Sequence, residues 1–186
     1  MPKKADRLPS PLVAAKDLLW GGWSTCIVAA AVELDVFSSI ASGATTAKEI
    51  ASKTKADELA LRRMLDSLAA LKYLNRKGDR YSLSPQSAAF LVRGSKLYME
   101  GIDQFAKSQM MPWFQLAETV KSGKPVVPPG DDAARSTFFS ILVRSIFPVG
   151  FVAAQAAVAA ITPARRARIK QILDVGGGAA PWSIPF

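Results

Sequence analysis

The chain has 186 residues, of which 49% are hydrophobic and 21% are charged, a balance typical of a globular protein with a sizeable core. Its net charge of +9 is compatible with nucleic acid, anionic lipid or an acidic partner, and it indicates nothing about the fold. The chain has no histidine and a single cysteine, Cys26. This excludes from it a histidine base, a histidine-ligated metal, an internal disulfide and a four-cysteine zinc site.

The first predicted element is a helix that follows Ser10. It extends from Pro11 to Ile40, in two pieces with a break near Gly21-Gly22, and after Trp23 it is apolar on nearly every side. A helix of this kind must be buried on several sides. Either the chain's own core or a second subunit could cover it, and we predict a second subunit.

Two shorter helices with clear capping residues follow Ser42-Gly43. Thr46 and Glu49 have the spacing of a capping box, and Asp57 is placed to cap the next helix. The apolar residues of that second helix recur at helical spacing, at Leu61, Leu65, Leu68 and Leu71.

A β-hairpin is predicted over residues 73–83, with its turn at the Gly78 region. Ser84-Pro85 then forms an N-cap and first-turn pair for a helix through about Leu91. The order helix, capped helix, longer helix and hairpin is that of a winged helix, which is a statement about fold only.

The second half of the chain is predicted to be helical. Helix is expected from Lys96 through Val120, and the Pro- and Gly-rich residues 122–130 interrupt it. Asp131 or Asp132 starts a further helix that we expect to end before Pro148, and an Ala-rich helix then extends to about Ile161.

The most apolar window, residues 146–161, contains Pro148 and is shorter than the roughly 20 residues needed to cross a bilayer. We therefore predict a buried or interfacial helix and no membrane span. Thr162-Pro163 follows this helix and precedes a basic stretch that contains Arg165, Arg166, Arg168 and Lys170.

A β-type apolar run, residues 169–175, meets Gly176-Gly177-Gly178. A buried strand that ends in an acidic residue followed by glycines is how nucleotide-type ligands are held at the carboxyl end of strands in doubly wound α/β folds. The D-x-G-x-G-x-A spacing from Asp174 fits such a site, and it also fits a plain Gly-rich loop.

Four stretches in this order resemble the small-molecule O-methyltransferases that use S-adenosylmethionine, a group with caffeate-type, hydroxyindole-type and polyketide-tailoring members. Residues 23–37 resemble the first dimerisation helix of that family, and residues 65–84 resemble its winged-helix segment. Residues 113–125 resemble its W…L…V…G-x-P stretch, and residues 174–178 resemble its first cofactor motif. The order, which spans almost the whole chain, is more specific than any one motif.

The resemblance implies S-adenosylmethionine as the cofactor. It places Asp174, Gly176 and Gly178 at the cofactor-loop positions, where they would shape the pocket beneath the methionine end and the ribose. The third glycine of the usual pattern is Ala180 here, followed by Pro181.

The resemblance also implies an apolar lid over a small, aromatic or polyketide-like hydroxyl acceptor. Trp113, Phe139 and Phe147 lie on segments that help cover the acceptor in such enzymes, although aromatic residues are more often core residues than ligand contacts. Met110, Met111 and Phe114 add to the apolar character of this region. No catalytic residue and no metal ligand is predicted, and the family's usual histidine base would lie outside this chain.

The predicted fold is mainly α. A winged-helix-like dimerisation domain with a small β-hairpin occupies residues 1–95, and a helical linker and substrate lid occupies residues 96–168. Residues 169–186 would be the start of a Rossmann-like α/β methyltransferase domain and contain only its first strand.

A parallel βαβ unit needs roughly 30 residues, more than follow Val175 in this sequence. We therefore expect a truncated, nicked or naturally split N-terminal portion that is inactive alone and binds the cofactor weakly or not at all. The expected partners are a second copy through the N-terminal helices, a small-molecule acceptor and a separate C-terminal catalytic fragment, with neither nucleic acid nor membrane. Low cysteine use and the lack of an apolar run near Met1 favour the cytoplasm.

Two other functions fit parts of the sequence. A winged-helix DNA-binding regulator would use the basic residues of the helix and wing, and a catalytically inert dimer scaffold would need no site. The basic residues are Arg62, Arg63, Arg76, Lys77 and Arg80. A solvated basic face is the simpler interpretation, because a regulator leaves residues 174–178 and the long helical region unexplained.

Overall fold

The computed structural model describes residue 15 and residues 18–126 and 132–186. The predicted helix start at Pro11 and the alternative start at Asp131 lie outside these residues. The helices are α1 (Trp23–Glu33), α2 (Val36–Ala41), α3 (Ala47–Thr54), α4 (Glu58–Ala70), α5 (Pro85–Phe90), α6 (Ile102–Phe114), α7 (Leu116–Ser122), α8 (Asp132–Ala159) and α9 (Pro163–Arg166). The strands are β1 (Leu74–Lys77) and β2 (Arg80–Leu83), which pair antiparallel with Leu74 opposite Leu83.

The apolar core lies within the N-terminal half of the chain. Helices α1 to α4 and the hairpin each contribute buried side chains, as their amphipathic patterns require. The core includes Val32, Val36, Phe37, Ile50, Leu61, Leu65, Leu68, Leu74 and Tyr81. This mainly helical architecture with a small antiparallel hairpin confirms the predicted fold class at that level.

The predicted helix caps are confirmed. The backbone N–H of Glu49 donates to Thr46 Oγ1 at 3.3 Å, and Glu49 Oε2 accepts from the backbone N–H of Thr46 at 2.9 Å. Asp57 Oδ1 accepts from the backbone N–H of Ala60 at 2.8 Å, which caps α4. Ser84 caps α5 in the same way. These contacts form within one turn of the chain, which is why local sequence predicts them.

Asp35 breaks the N-terminal helix at a point that the sequence analysis did not predict. The turn at Gly21-Gly22 agrees with the prediction, but continuous helix from there to Ile40 is wrong, since Asp35 has a left-handed φ of 58° between α1 and α2. Asp adopts this conformation more readily than most residues with a side chain. Arg93 stabilises the break, because its Nε donates to Asp35 Oδ1 at 3.0 Å.

The hairpin is fixed to α4 by three side chains. The Tyr81 hydroxyl and Arg76 Nη1 both donate to Asp66 Oδ1, each at 2.6 Å. Burial, and next the Asp66 carboxylate, raise the pKa of Tyr81 above its ordinary value. This arrangement joins the helix and both strands into one unit.

Helix α6 begins later than predicted. Residues 96–101 form turns, and the helix starts at Ile102 after Gly101, which has a left-handed φ of 77°. A Cβ at Gly101 would lie 3.3 Å from Ile141 Cγ2. Glycine is therefore required here both by the backbone and by the close approach of α8.

Helix α8 is continuous through Pro148, so the predicted division into two helices at that residue is wrong. An internal proline removes one backbone hydrogen bond and costs about 3 kcal/mol relative to alanine. Buried residues of α8 lie on both sides of the proline, namely Ser145 before it and Ala154 and Val158 after it, and Ser145 Oγ donates to the Glu100 carbonyl at 3.0 Å. Packing on both sides of the proline outweighs the local cost.

The continuity of α8 also changes its apparent length. Residues Arg135–Ala159 have a mean hydropathy of 1.8 and are long and apolar enough, by length and composition only, to cross a membrane. The window of residues 146–161 underestimated that length because the helix was expected to end at Pro148. The core helix of a soluble protein meets the same criterion.

The strand predicted over residues 169–175 does not form. Residues 169–175 have neither helical nor strand structure. In the part of the chain that the structure describes, β1 and β2 form the one sheet. Leu173 and Val175 are 88% and 87% exposed. A buried parallel strand needs hydrogen-bonding neighbours on its sheet, and the apolar sequence alone cannot supply them.

Candidate functional site

The predicted cofactor loop follows the residues that were expected to form a strand. Gly176 and Gly178 have left-handed φ values of 72° and 56°, and Ala180 adopts the same region with a φ of 57°. Only glycine occupies this region without steric cost, and a residue with a Cβ loses about 1–2 kcal/mol there. The two glycines are therefore required by the loop, and Ala180 is strained at the position where the resembled pattern has its third glycine.

Asp174 folds back over the loop. Its carboxylate accepts a hydrogen bond from the Ser183 hydroxyl. A Cβ at Gly177 would lie 2.7 Å from Asp174 Cγ, so no side chain fits at that position while Asp174 stays in place. The sequence analysis assigns roles to Gly176 and Gly178 but not to Gly177, although the run of three glycines was the available signal.

A cavity of about 360 Å³ lies between the loop and α8. Asp174, Gly176 and Gly178 line it on one side, and Phe139 and Phe147 line it on the other. Phe147 stacks on Phe151, with ring centroids 5.6 Å apart and planes at 15°. The structure thus brings together the three predicted loop residues and two of the three predicted lid residues, which are far apart in the sequence.

The end of the chain completes the cavity wall. Pro181 and Trp182 line it, and a Cβ at Gly150 would lie 3.2 Å from Pro181 Cγ. The small residue in α8 therefore lets the tail approach the helix closely. Sequence analysis missed Trp182 as a wall residue, because its position depends on this approach and not on any local pattern.

Trp113 lies elsewhere. It is near the end of α6, 65% exposed, and it does not line this cavity. Met110, Met111 and Phe114 instead line a separate groove between α1 and α6. The residues grouped as one apolar lid from sequence are thus divided between two surfaces.

The site combines an acidic group and a glycine-rich loop with an aromatic wall. The cavity lining is mainly apolar, and the Asp174 carboxylate is its acidic group. Such a cavity can hold a ligand with an apolar or aromatic part next to hydrogen-bond donors or a positive charge. Among the described residues no cluster of His, Cys, Asp and Glu that could hold a metal ion is present.

The basic face proposed for DNA binding is largely engaged within the fold. Arg62 pairs with Glu58 at 3.2 Å, and Arg76 pairs with Asp66. Arg80 donates to Thr45 Oγ1 at 2.7 Å. These contacts give three of the five basic residues partners within the fold, and no observation favours the DNA-binding alternative.

Comparison with known families decides between the interpretations of the N-terminal half. Residues 17–93 match the family described as the O-methyltransferase dimerisation domain. Over this segment the chain is similar to an O-methyltransferase dimerisation domain. The match includes α1 to α5 and the hairpin, and it confirms the resemblance that the sequence predicted.

Relatives of known activity match the chain over different lengths. The N,N-dimethyltransferase OxyT of Streptomyces rimosus is 36% identical over 95 residues, which are 50% of this chain and 28% of that protein. The 3-hydroxy-5-methyl-1-naphthoate 3-O-methyltransferase of Streptomyces sahachiroi is 27% identical over 169 residues, 88% of this chain and 48% of that protein. The chain spans about half the length of these curated relatives, or less.

A solved structure supports the same relationship beyond the matched domain. An O-methyltransferase family protein from Burkholderia thailandensis superposes with a TM-score of 0.61 at 26% identity. The superposition covers 80% of this chain and 46% of that one. The mainly helical arrangement is therefore shared with an O-methyltransferase over most of the chain.

Proposed function

We propose that this chain is the dimerisation and lid portion of an S-adenosylmethionine-dependent O-methyltransferase that acts on a small, aromatic or polyketide-like hydroxyl compound. The proposal assigns residues 1–95 to a winged-helix-like dimerisation domain and residues 96–168 to a helical linker and lid. It assigns residues 169–186 to the start of a Rossmann-like cofactor domain. The domain match and the 27% identity to a naphthoate O-methyltransferase over 88% of the chain support it.

The observation that carries the proposal is the shared cavity. The loop of Asp174, Gly176 and Gly178 faces Phe139 and Phe147 of α8 across about 360 Å³. A glycine loop that a ligand's polar groups can approach closely, opposite an aromatic wall, suits a cofactor next to an aromatic acceptor. Trp113 does not line this cavity, so as a lid residue it would have to contact the acceptor outside the cavity.

The residues present fit the cofactor's chemistry in part. S-adenosylmethionine supplies a methyl group on a positively charged sulfonium. The backbone at Gly176 and Gly178 presents no side chain, so a ligand can approach it, and the Asp174 carboxylate can accept hydrogen bonds or stabilise positive charge. That carboxylate is bonded to the Ser183 hydroxyl, which a ligand would have to displace.

We further propose that residues 169–175 become a strand when other strands pair with them, in the same polypeptide or in a separate catalytic fragment. Leu173 and Val175 expose nearly all of their apolar side chains, and exposed apolar strands tend to pair. Without that sheet, no paired strand holds the residues that precede the loop in place. We therefore expect the 186-residue chain alone to bind S-adenosylmethionine weakly or not at all and to be inactive. Calorimetry that shows submillimolar binding by the isolated chain would refute this part.

The partner in the proposal is a second copy of the chain. The dimerisation domain supports a homodimer, and α1, which lies within that domain, is the helix that the sequence predicted at the interface. The cytoplasmic location stays a prediction.

The test of the function is methyl transfer by this chain together with the rest of the cofactor domain that the proposal requires, in the same polypeptide or as a separate fragment. Radiolabelled S-adenosylmethionine is supplied with a panel of hydroxylated naphthoates and aromatic polyketides, with matched aromatic amines as the second arm. The proposal predicts label on hydroxyl oxygen. Label on nitrogen alone would refute the acceptor class, and no transfer to any compound, together with no cofactor binding, would refute the enzyme assignment.

A further inference from the structure

A second cavity lies where the matched segment of residues 17–93 meets the helices that follow it. Its volume is about 400 Å³, which is within the usual range for small-molecule sites. Helices α1, α5, α6 and α8 contribute to its wall, together with Tyr73, the residue before β1. It shares no lining residue with the loop cavity, so the two are separate sites.

The wall of this second cavity is largely apolar and carries no charge. Phe90, Ile102 and Val149 come from three different helices, and Met99 lies in the turns before α6. Among the described residues that line the cavity, none has a charged side chain. A charged ligand would lose its hydration there without gaining an opposite charge, so the wall favours a neutral one. Phe90 and Met99 supply a ring and a thioether, both of which make favourable contacts with aromatic rings.

Two polar residues of the wall are held in place by bonds to the fold. The carbonyl of Tyr73 accepts from Ser87 Oγ at 2.6 Å and from the backbone N–H of Ser84 at 3.3 Å. Gln86 Nε2 donates to the Lys72 carbonyl at 2.7 Å. In the part of the chain that the structure describes, nothing bonds to the Tyr73 hydroxyl or to the carboxamide oxygen of Gln86, so both remain available to a ligand. Polar groups that are fixed before binding lose little entropy when a ligand arrives.

We infer that the second cavity binds a neutral aromatic compound that carries a hydroxyl or carbonyl group, with Tyr73 and Gln86 as its hydrogen-bond partners. The Tyr73 hydroxyl can donate or accept, and the Gln86 oxygen accepts, so together they can bond to a phenol or an aryl ketone. A carboxylate or an ammonium group finds no partner of opposite charge in this wall. The inference goes beyond the proposed function and does not rest on it, because the site of the proposed methyl transfer is the loop cavity.

Methionine methyl groups report where a compound binds in this chain. Met99 lines the second cavity, Met110 and Met111 line the groove between α1 and α6, and Met64 packs against the core. The chain is labelled with ¹³C in its methionine methyl groups and titrated with 1-naphthol. We expect the Met99 signal to shift along a saturable curve with a Kd on the order of 1 mM, as for so small a compound, while the Met64 signal stays in place. The anion 1-naphthoate has the same rings and should bind at least about tenfold more weakly.

Two substitutions test the wall of the second cavity. Val149→Trp fills the cavity from α8 and should weaken the binding of 1-naphthol at least about tenfold; the residue is 52% exposed, so the fold should tolerate the change. Val120→Trp is the matched control, since Val120 is 75% exposed on α7 and does not line the cavity, and it should leave the Kd unchanged. Tyr73→Phe removes only the hydroxyl and should raise the Kd about threefold to tenfold.

The results that would overturn the inference are distinct from one another. Shifts confined to Met110 and Met111 would place the compound in the groove between α1 and α6. Equal affinity for 1-naphthol and 1-naphthoate would contradict selection by an uncharged wall, and binding that a folded Val149→Trp variant leaves unchanged would place the compound elsewhere. If Val149→Trp loses its circular dichroism spectrum, Tyr73→Phe decides, because an unchanged Kd would then refute the assigned hydrogen bond. Methyl transfer is measured separately, so its failure leaves this inference standing, and failure here leaves the proposed function standing.

Discussion

The hydrogen bonds that converge on Asp66 give a quantitative stability prediction. Tyr81 is 1% exposed as a residue and its bond to Asp66 is partly buried, so Asp66→Ala leaves the hydroxyl without its protein partner, at a cost of about 1–3 kcal/mol. The Arg76–Asp66 ion pair adds little, because the side chains are 42% and 40% exposed and such pairs contribute about 0–1 kcal/mol. We therefore expect Asp66→Ala to lower the free energy of unfolding by about 2 kcal/mol.

Companion variants separate the two contributions at Asp66. Asp66→Asn keeps an oxygen acceptor for Tyr81 and should cost less than half as much as Asp66→Ala. Arg76→Ala removes the ion pair and should cost about 1 kcal/mol or less, including the loss of its position 5.7 Å from the Tyr81 ring centroid. Urea denaturation followed by tryptophan fluorescence measures all three. If Asp66→Ala and Arg76→Ala cost the same, the hydrogen bond of the buried hydroxyl does not contribute more than the ion pair, and the reasoning fails.

Three further predictions concern a cap, the loop and the long helix. Backbone N–H bonds from Thr45 and Thr46 lower the pKa of Glu49 from 4.5 to about 2. The stability that the ionised carboxylate contributes is therefore complete above about pH 5 and is lost as the pH falls towards 2. The melting temperature of the wild type should consequently fall more steeply with decreasing pH than that of Glu49→Gln. Gly177→Ala should displace the Asp174 carboxylate and shift the backbone NMR signal of Ser183, with little change in melting temperature because the loop is exposed; an unchanged Ser183 signal would contradict the observed close contact. Pro148→Ala should leave the ellipticity at 222 nm unchanged, since α8 is already continuous, and a gain of a turn or more of helix would support the broken helix instead.

Sequence predicted the features whose partners lie within one turn of the chain. The capping box of Thr46 and Glu49, the cap at Asp57 and the hairpin with its turn at Gly78 all depend on residues close to one another. The dimerisation-domain segment was recognisable for the same reason, because its helices and hairpin each carry a local signal in a characteristic order. These features share one property, namely that their stabilising contacts are local and do not require a distant residue.

The features that sequence did not predict depend on distant contacts. The break at Asp35 is stabilised by Arg93, far along the chain, and the continuity of α8 through Pro148 depends on packing against α6 and the residues just before it. The run of residues 169–175 has the composition of a strand, but a strand exists only where other strands pair with it. The loop motif was predicted, whereas its closeness to Phe139 and Phe147 could be seen only from the fold.

Helix α8 connects the two surfaces on which the proposed function depends. On one side its aromatic residues form the wall of the loop cavity, and on the other Ser145 is fully buried and donates to the carbonyl of Glu100. Arg144 adds an ion pair to the Glu100 carboxylate at 3.1 Å. The hydrogen bond and the ion pair to Glu100 both hold α8 near its middle, between Phe139 and Phe147. Glu100, which lies just after the matched segment of residues 17–93, therefore helps to hold the helix that carries the cavity wall, although Glu100 does not line that cavity.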